Sequence, residues 1–550
     1  MTNAMSPSDP PPAPARPRRA ATLVLVRDGA QGMEVLLLRR VERANDRSSG
    51  SFVFPGGTLD AADAECHACC ADIDDARASQ RLGLARGGLD YHVAAIRECF
   101  EEAGVLIVID ASGLPVALDD RAQDLADLRA RLRRGDTGMA ALCESLGVRL
   151  APDRLAYHSH WLTPAGLPKR FDTRFFVAEM LPGQSVAPDC EETLEHRWMR
   201  PGDAIDAAAE LRLPNPTRRT LASIAGFARA AECVAHARAQ RDIRMILPVI
   251  ANGPNGLQPL MPDAPAYAEV RRIDPHGTGA AHYDIEAGRR VALSARVLRV
   301  TAANAGYMTG PGTNSYFVGD PLRNEWAVID PGPADEAHID AILAAAPGPI
   351  RWILVTHTHR DHSPAAALLK ARTGAPCLGR AACHDEGQDI AFQPERALRH
   401  GDVLVLGPQA TLRVIHTPGH AANHLCYLLQ EEQTLFTGDH VMQGSTVVIN
   451  PPDGDMAAYM ASLELLLDED LLWLAPGHGF LIAEPRAAIE RLLVHRRARE
   501  AKVLRAIADG HRDIDAMLPH VYDDVPAARH AVARRSLLAH MIKLQAERRA

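Results

Sequence analysis

The 550-residue chain is too long for one ordinary hydrophobic core, and a prior of roughly 100–200 residues per domain points to three or four units. Apolar residues make up 47% and charged residues 23%, the balance of a soluble globular protein, and a net charge of −9 excludes a chain that coats nucleic acid through its whole surface. No run approaches the ~20 apolar residues that span a bilayer, Met1–Ala20 lacks an apolar signal core, and ten scattered cysteines fit reduced thiols, so a cytoplasmic protein with no membrane association is expected.

The proline-rich residues 1–19 read as a flexible tail. Ala21–Arg27 and Met33–Leu38 read as two short strands of a hairpin, divided by the turn signals Asp28-Gly29 and Gly32. After Phe52–Pro55 the pattern breaks into a polar stretch holding Cys66, His67, Cys69 and Cys70. These four offer soft ligands for a small metal site; the alternative is an insertion loop that happens to contain cysteines. Periodicity then predicts a helix over Tyr91–Ala103 ending at Gly104, helical stretches over 120–147 and Pro214–Arg238, and a strand at Arg174–Met180. These elements form a first domain over 20–235. Residues 236–289, rich in proline and glycine, read as a linker or a late extension of that domain.

On the Tyr91–Ala103 helix, Glu98 and Glu102 lie one turn apart and Glu101 flanks them, so three carboxylates share a face. A hard cation such as Mg²⁺ or Mn²⁺ relieves their repulsion. Phe54-Pro55-Gly56-Gly57 upstream and Arg97-Glu98-Cys99-Phe100-Glu101-Glu102-Ala103-Gly104 together resemble the Nudix box. The resemblance implies metal-dependent cleavage of a nucleoside diphosphate linkage in a Nudix α/β/α sandwich, with Gly57, Arg97, Glu98, Glu101 and Glu102 as functional positions and Arg97 orienting a carboxylate. Arg97 stands forty residues after Gly57 where the usual box has fourteen, so an insertion of 26 residues interrupts it, and Asp63 stands where the box has its loop glutamate. Long boxes of this kind are similar to those of Nudix enzymes that cleave coenzyme A and its thioesters, and Arg170-Phe171-Asp172-Thr173-Arg174-Phe175 fits that group. Gly50 of its signature is kept, with Asp46 where an arginine is expected and Arg43 and Arg47 nearby.

Beyond Val291 short strand-like runs alternate with helical stretches, which implies a layered α/β domain over 290–490. The strand Trp352–Thr356 leads directly into His357-Thr358-His359-Arg360-Asp361-His362. Two imidazoles two residues apart in extended backbone point to one side and can bind one ion, and Asp361 and His362 at the following turn can reach a second. His420, Asp439 and His478 each stand where a later strand gives way to a loop. The set resembles the H-x-H-x-D-H superfamily of metallo-β-lactamases, αββα sandwiches. The resemblance implies one zinc held by His357, His359 and His420, a second by Asp361, His362 and His478, and Asp439 bridging them. Zinc lowers the pKa of a water that it binds to about 7, and Asp361 is the candidate to orient that water.

Asn304-Ala305-Gly306-Tyr307-Met308-Thr309, Gly312-Thr313-Asn314-Ser315-Tyr316, Asp330-Pro331-Gly332 and Thr417-Pro418-Gly419-His420 with His424 resemble the group named after human β-lactamase-like protein 2. His424 is expected to support the ligands or touch the substrate. Residues 491–550, with Val521-Tyr522-Asp523-Asp524-Val525-Pro526 between helices, look like the winged-helix appendage of that group. This tail holds thirteen Lys/Arg against seven Asp/Glu, a local excess of +6.

The expected whole is a multidomain α/β protein and a bifunctional metal-dependent hydrolase. One site hydrolyses an ester or thioester, such as an acyl-coenzyme A, and the other cleaves a nucleoside diphosphate such as coenzyme A. The alternatives are a zinc-dependent endoribonuclease that meets RNA through the basic tail, and a non-catalytic RNA-binding protein.

Overall fold

The computed structural model describes residues 15–42 and 49–548, so most of the 1–19 tail and the positions Arg43, Asp46 and Arg47 lie outside the described residues. The chain forms two compact units, Met1–Pro248 and Val249–Ala550.

The first unit is built on an eight-stranded sheet whose central strand, Arg18–Gly29, runs parallel to Phe171–Glu179 and antiparallel to Gly32–Arg40. The short strand Gly56–Thr58 also pairs with Arg18–Gly29, placing Gly57 opposite Ala21. The helix Gly88–Ala103 stops at Gly104, whose φ of 74° is the left-handed conformation that a glycine adopts without a Cβ penalty. It buries Leu89, Val93, Ile96 and Phe100 in the core together with Leu23 and Leu25 of the sheet, which leaves its carboxylates on another face.

The inserted residues are helical, where the sequence reads as a polar loop. Asp60 caps a 3₁₀ helix, Ala61–Cys69, by accepting from the amide of Ala62, and Asp74 caps the helix Asp75–Leu82 by accepting from Arg77. Cys66, Cys70, Ala78 and Leu82 from this insertion join the same core. The Pro214–Arg238 stretch is two helices, Asn215–Ile224 and Ala230–Ala239.

The second unit contains a seven-stranded and a six-stranded sheet. Tyr316, Val318, Ala327 and Ile329 of one pack with Leu412, Val414, Tyr427 and Phe436 of the other in a shared core. Helices Glu336–Ala345 and Ala365–Thr373 cover the outer face of the first sheet, and Met456–Leu467 with the start of Pro485–Ala508 covers the second. This is the expected αββα sandwich. The end of Pro485–Ala508 packs with Ile514–Val521 and His530–Ala546 around Val503, Met517, Val521 and Leu537, a helical tail with no strand among the described residues.

Residues 249–289, which read from composition as a linker or an extension of the first domain, pack into the second unit. Val249–Ala251 and Gln258–Leu260 form a hairpin, and Glu269 on the helix Tyr267–Ile273 makes a bidentate pair with Arg299 at 2.7 and 2.9 Å. Both side chains are 2% exposed, and Glu269 also accepts from the amide of Leu481. No helix among the described residues is long and apolar enough to cross a membrane.

Candidate metal centres

His357 and His359 follow the strand Ile350–Leu354, His420 follows Ala410–His416, Asp439 follows Thr434–Gly438 and His478 follows Trp473–Pro476. The sandwich thereby gathers residues far apart in sequence at one set of strand ends. His359 Nδ1 lies 2.9 Å from Nε2 of His357 and 2.9 Å from Nε2 of His420. His478 Nε2 is 3.3 Å from Asp361 Oδ2 and 3.2 Å from Asp439 Oδ1, and His362 Nε2 is 3.4 Å from the same two oxygens. Asp439 faces both groups, because its Oδ2 lies 3.7 Å from His420 Nε2. The seven residues fall into two ligand-dense clusters, His357–His359–His420 and Asp361–His362–Asp439–His478.

The residues fit a pair of bound cations by their unmet hydrogen-bonding capacity. His362 Nε2, His478 Nε2 and Asp439 Oδ1 are buried without a hydrogen-bond partner, a costly state for polar atoms unless an ion fills their valence. The far nitrogens are occupied: His357 Nδ1 meets Thr356 Oγ1 at 3.0 Å, His362 Nδ1 meets Asp330 Oδ2 at 2.8 Å, His420 Nδ1 meets the Val448 carbonyl at 2.9 Å and His478 Nδ1 meets the Gly312 carbonyl at 3.2 Å. Where Nδ1 donates, Nε2 is left as a lone pair directed into the site. Burial and the neighbouring imidazoles push His357 well below the usual histidine range, and burial pushes His359 down to about 3, so both are held in the neutral, metal-binding form. Asp439 is held ionised against burial by His478 and His362, whose rings its charge and that of Asp361 favour in the protonated form; a bound cation would take the place of those protons.

Gly477 is required by close approach. A Cβ there would meet Asp439 Oδ1 at 2.7 Å and His362 Cε1 at 2.8 Å. His424 is fully buried behind His357, with Nδ1 3.0 Å from Thr417 Oγ1 and ring centroids 4.9 Å apart, and it does not line the cleft over the ligands. Asp330, Thr356 and the carbonyls of Val448 and Gly312 are the supporting groups that ligand spacing alone did not single out.

In the first unit, Arg97 bridges the carboxylates. It donates to Asp63 Oδ1 at 2.8 Å and Oδ2 at 3.2 Å, to Glu98 Oε1 at 2.9 Å, and lies 3.5 Å from Glu101 Oε2. Glu102 accepts from the amide of Gly56 at 3.0 Å. Gly57 leaves room for Glu98, since a Cβ on it would sit 2.4 Å from the carboxylate carbon. Burial pushes Glu102 up to about 8 and Glu98 up to about 7, and Glu101 is raised for the same reason. The three oxygens do not converge as tightly as the histidine clusters: among the described residues they form no group lying within 4.8 Å.

In the cysteine insertion His67 leaves the expected set of Cys66, His67, Cys69 and Cys70, whereas the thiols of Cys66 and Cys70, with Cys143 from outside the insertion, gather about the sulfur of Cys69. The thiols of Cys69 and Cys70 donate to the Cys66 carbonyl at 3.0 and 3.3 Å, that of Cys66 to the Ala62 carbonyl, and His67 turns to Asp90 at 2.8 Å.

Residues 308–478 match the metallo-beta-lactamase superfamily, residues 73–217 the NUDT19 Nudix domain and residues 514–550 the beta-lactamase associated winged helix domain. Among curated proteins, the beta-lactamase-like protein 2 homolog of Drosophila melanogaster is 32% identical over 276 residues, 46% of this chain and 89% of that protein. An atrochrysone carboxyl ACP thioesterase of Claviceps purpurea is 31% identical over 219 residues, 39% of this chain and 66% of that protein. Among solved structures, a NUDIX hydrolase from Alicyclobacillus acidocaldarius aligns at 27% identity over 40% of this chain and 96% of its own, with a TM-score of 0.33. The chain thus belongs to the metallo-β-lactamase superfamily, beside β-lactamase-like protein 2, as a metal-dependent hydrolase that carries a Nudix domain ahead of its metallo-β-lactamase fold and a winged-helix tail behind it.

Proposed function

We propose that the second unit holds two zinc ions and hydrolyses a thioester, and that the first unit uses Mg²⁺ or Mn²⁺ to cleave a nucleoside diphosphate linkage such as that of coenzyme A. The observation that carries the zinc reading is Asp439, whose Oδ1 faces His362 and His478 while its Oδ2 faces His420. Five imidazoles and two carboxylates suit zinc better than magnesium or calcium, which prefer all-oxygen sites. Bound zinc would supply an activated water at neutral pH and polarise the thioester carbonyl.

The chain's own residues then divide the work. Asp361 lines the cleft, and its Oδ2 is placed to accept the proton of an attacking water while Thr313 Oγ1, 3.5 Å away, holds the carboxylate in position. Asp330 and Thr356 fix the rings of His362 and His357. The thioester choice is supported by the fungal relative's name, an acyl-carrier thioesterase. In the first unit, Arg97 positions Glu98 and Glu101 through the contacts above, and the raised Glu102 and Glu98 carboxyls are the groups a hard cation would hold ionised, partly through water.

The test is a screen of acyl-coenzyme A chain lengths with purified full-length protein. Zinc-loaded protein is expected to release free thiol, and Mg²⁺-loaded protein 3′-phosphoadenosine 5′-phosphate. Neither product at any chain length would refute the reading.

A further inference from the structure

A cleft of about 960 Å³ opens over the metal ligands, and its far wall comes from the helical tail. That wall contains Arg496, Arg499, Arg529 and Arg535 and no carboxylate. Arg499 is neutralised by Asp524, at 2.7 and 3.1 Å. The other three have no ion-pair partner among the described residues.

Arg496 is the telling member. Its side chain is 2% exposed, its Nη2 donates to the Val447 carbonyl, and its guanidinium lies 5.3 Å from the Tyr459 ring centroid, yet its Nε is buried with no partner. A guanidinium cannot shed its proton, so an unpaired one costs more to bury than a lysine or histidine that neutralises itself. The Nδ1 of the adjacent His495, also on this wall, is likewise buried and unpartnered. Arg529 and Arg535 are exposed beside it, and Arg529 lies 5.6 Å from the ring of Tyr307 on the opposite lip. Three guanidiniums on one wall of a cleft, none of them in an ion pair among the described residues, suit a multiply charged, three-oxygen acceptor better than a single carboxylate, because each fork can take two oxygens.

We propose that Arg496, Arg529 and Arg535 form a phosphate subsite, so that the substrate of the metal centre is a thioester whose thiol arm ends in a phosphate ester. This rests on the thioester reading and adds the chemistry of the arm. The phosphate docks on the tail, and the thioester reaches Asp361 and Asp439 at the other side of the same cleft. The tail is thereby a part of the binding site as well as a cover for it.

The test compares full-length, zinc-loaded wild type with Arg529→Gln/Arg535→Gln in the absence of Mg²⁺, on an acyl-coenzyme A and on the same acyl group carried by N-acetylcysteamine, which has no phosphate. The double variant is expected to lower kcat/KM for the coenzyme A ester at least tenfold more than for the truncated ester, mainly through KM. Arg512→Gln, an exposed arginine outside the cleft, serves as control and should leave the ratio between the two esters as it is. Equal losses on both esters, or none, would overturn the subsite. Calorimetric binding of 4′-phosphopantetheine is read in parallel, independent of turnover. Binding by wild type that weakens at least tenfold in the double variant supports the subsite even where no thiol is released and the thioester reading fails. Failure of wild type to bind it, or arginine-dependent binding of a single-stranded RNA oligonucleotide in its place, refutes the proposal.

Discussion

His362 donates its Nδ1 hydrogen to Oδ2 of Asp330 across 2.8 Å, and the same carboxylate receives the amide of Thr356 at 2.7 Å and its hydroxyl at 2.8 Å. Asp330 is 2% exposed and holds a φ of 53°, so a loop residue in an uncommon conformation ties a ligand of one ion group to the strand end that precedes the other. Asp330→Ala should lower metal affinity by about 10–100-fold, the usual cost of removing such a support. Competition with a chromogenic chelator measures it. A loss under threefold would mean that Asp330 only packs.

Glu102 and Glu98 are raised because burial penalises their charge and, for Glu102, because Glu98 repels it. Added Mg²⁺ or Mn²⁺ should therefore raise the melting temperature of the wild type. Glu102→Gln, which keeps an acceptor for the Gly56 amide while removing the charge, should shrink that increment. Calorimetry at fixed pH checks this, and an undiminished increment in the variant would place the cation elsewhere.

The pair Arg299–Glu269 is fully enclosed, so removing one partner strands the other. Glu269→Ala should destabilise the second unit by about 3–5 kcal/mol, read from urea unfolding. A change below about 1 kcal/mol would indicate that water reaches Arg299.

Burial holds His92 at about 4, below the ordinary histidine value of about 6.5, with Nδ1 3.0 Å from the Gly88 carbonyl and its ring 4.5 Å from that of Phe176. The unfolded chain binds the proton more readily, so the stability that neutral His92 contributes is present above pH 6.5 and is lost as pH falls toward 4, by about 3 kcal/mol in all. His92→Asn should flatten this slope. Urea unfolding followed by hydrogen exchange in the Gly88–Ala103 helix measures it, and parallel slopes in both proteins would contradict the assignment.

Much of the metal centre was legible because its ligands are residue types with few other reasons to recur at strand ends: His357 and His359 by spacing, His420, Asp439 and His478 by their turns. The groups that aim them were less so, since the carbonyls of Val448 and Gly312 leave no mark on residue type. Glu269 was hidden by composition: a stretch rich in proline and glycine reads as a linker, and its partner Arg299 lies thirty residues on. The helical insertion carried its own signals in Asp60 and Asp74, both good caps, but cysteines and polar residues masked them. The tail's excess of arginine was visible in the sequence, whereas only the fold brings Arg496, Arg529 and Arg535 to the cleft that the metal ligands also line.

The most direct test of two separate sites on one chain is a crossed knockout on full-length protein with metal content measured. His357→Ala should abolish zinc-dependent thiol release and keep the Mg²⁺-dependent release of 3′-phosphoadenosine 5′-phosphate, while Glu102→Gln should do the reverse. Thiol release that survives in His357→Ala with its zinc depleted, or loss of both activities from either change in a folded protein, would contradict the account.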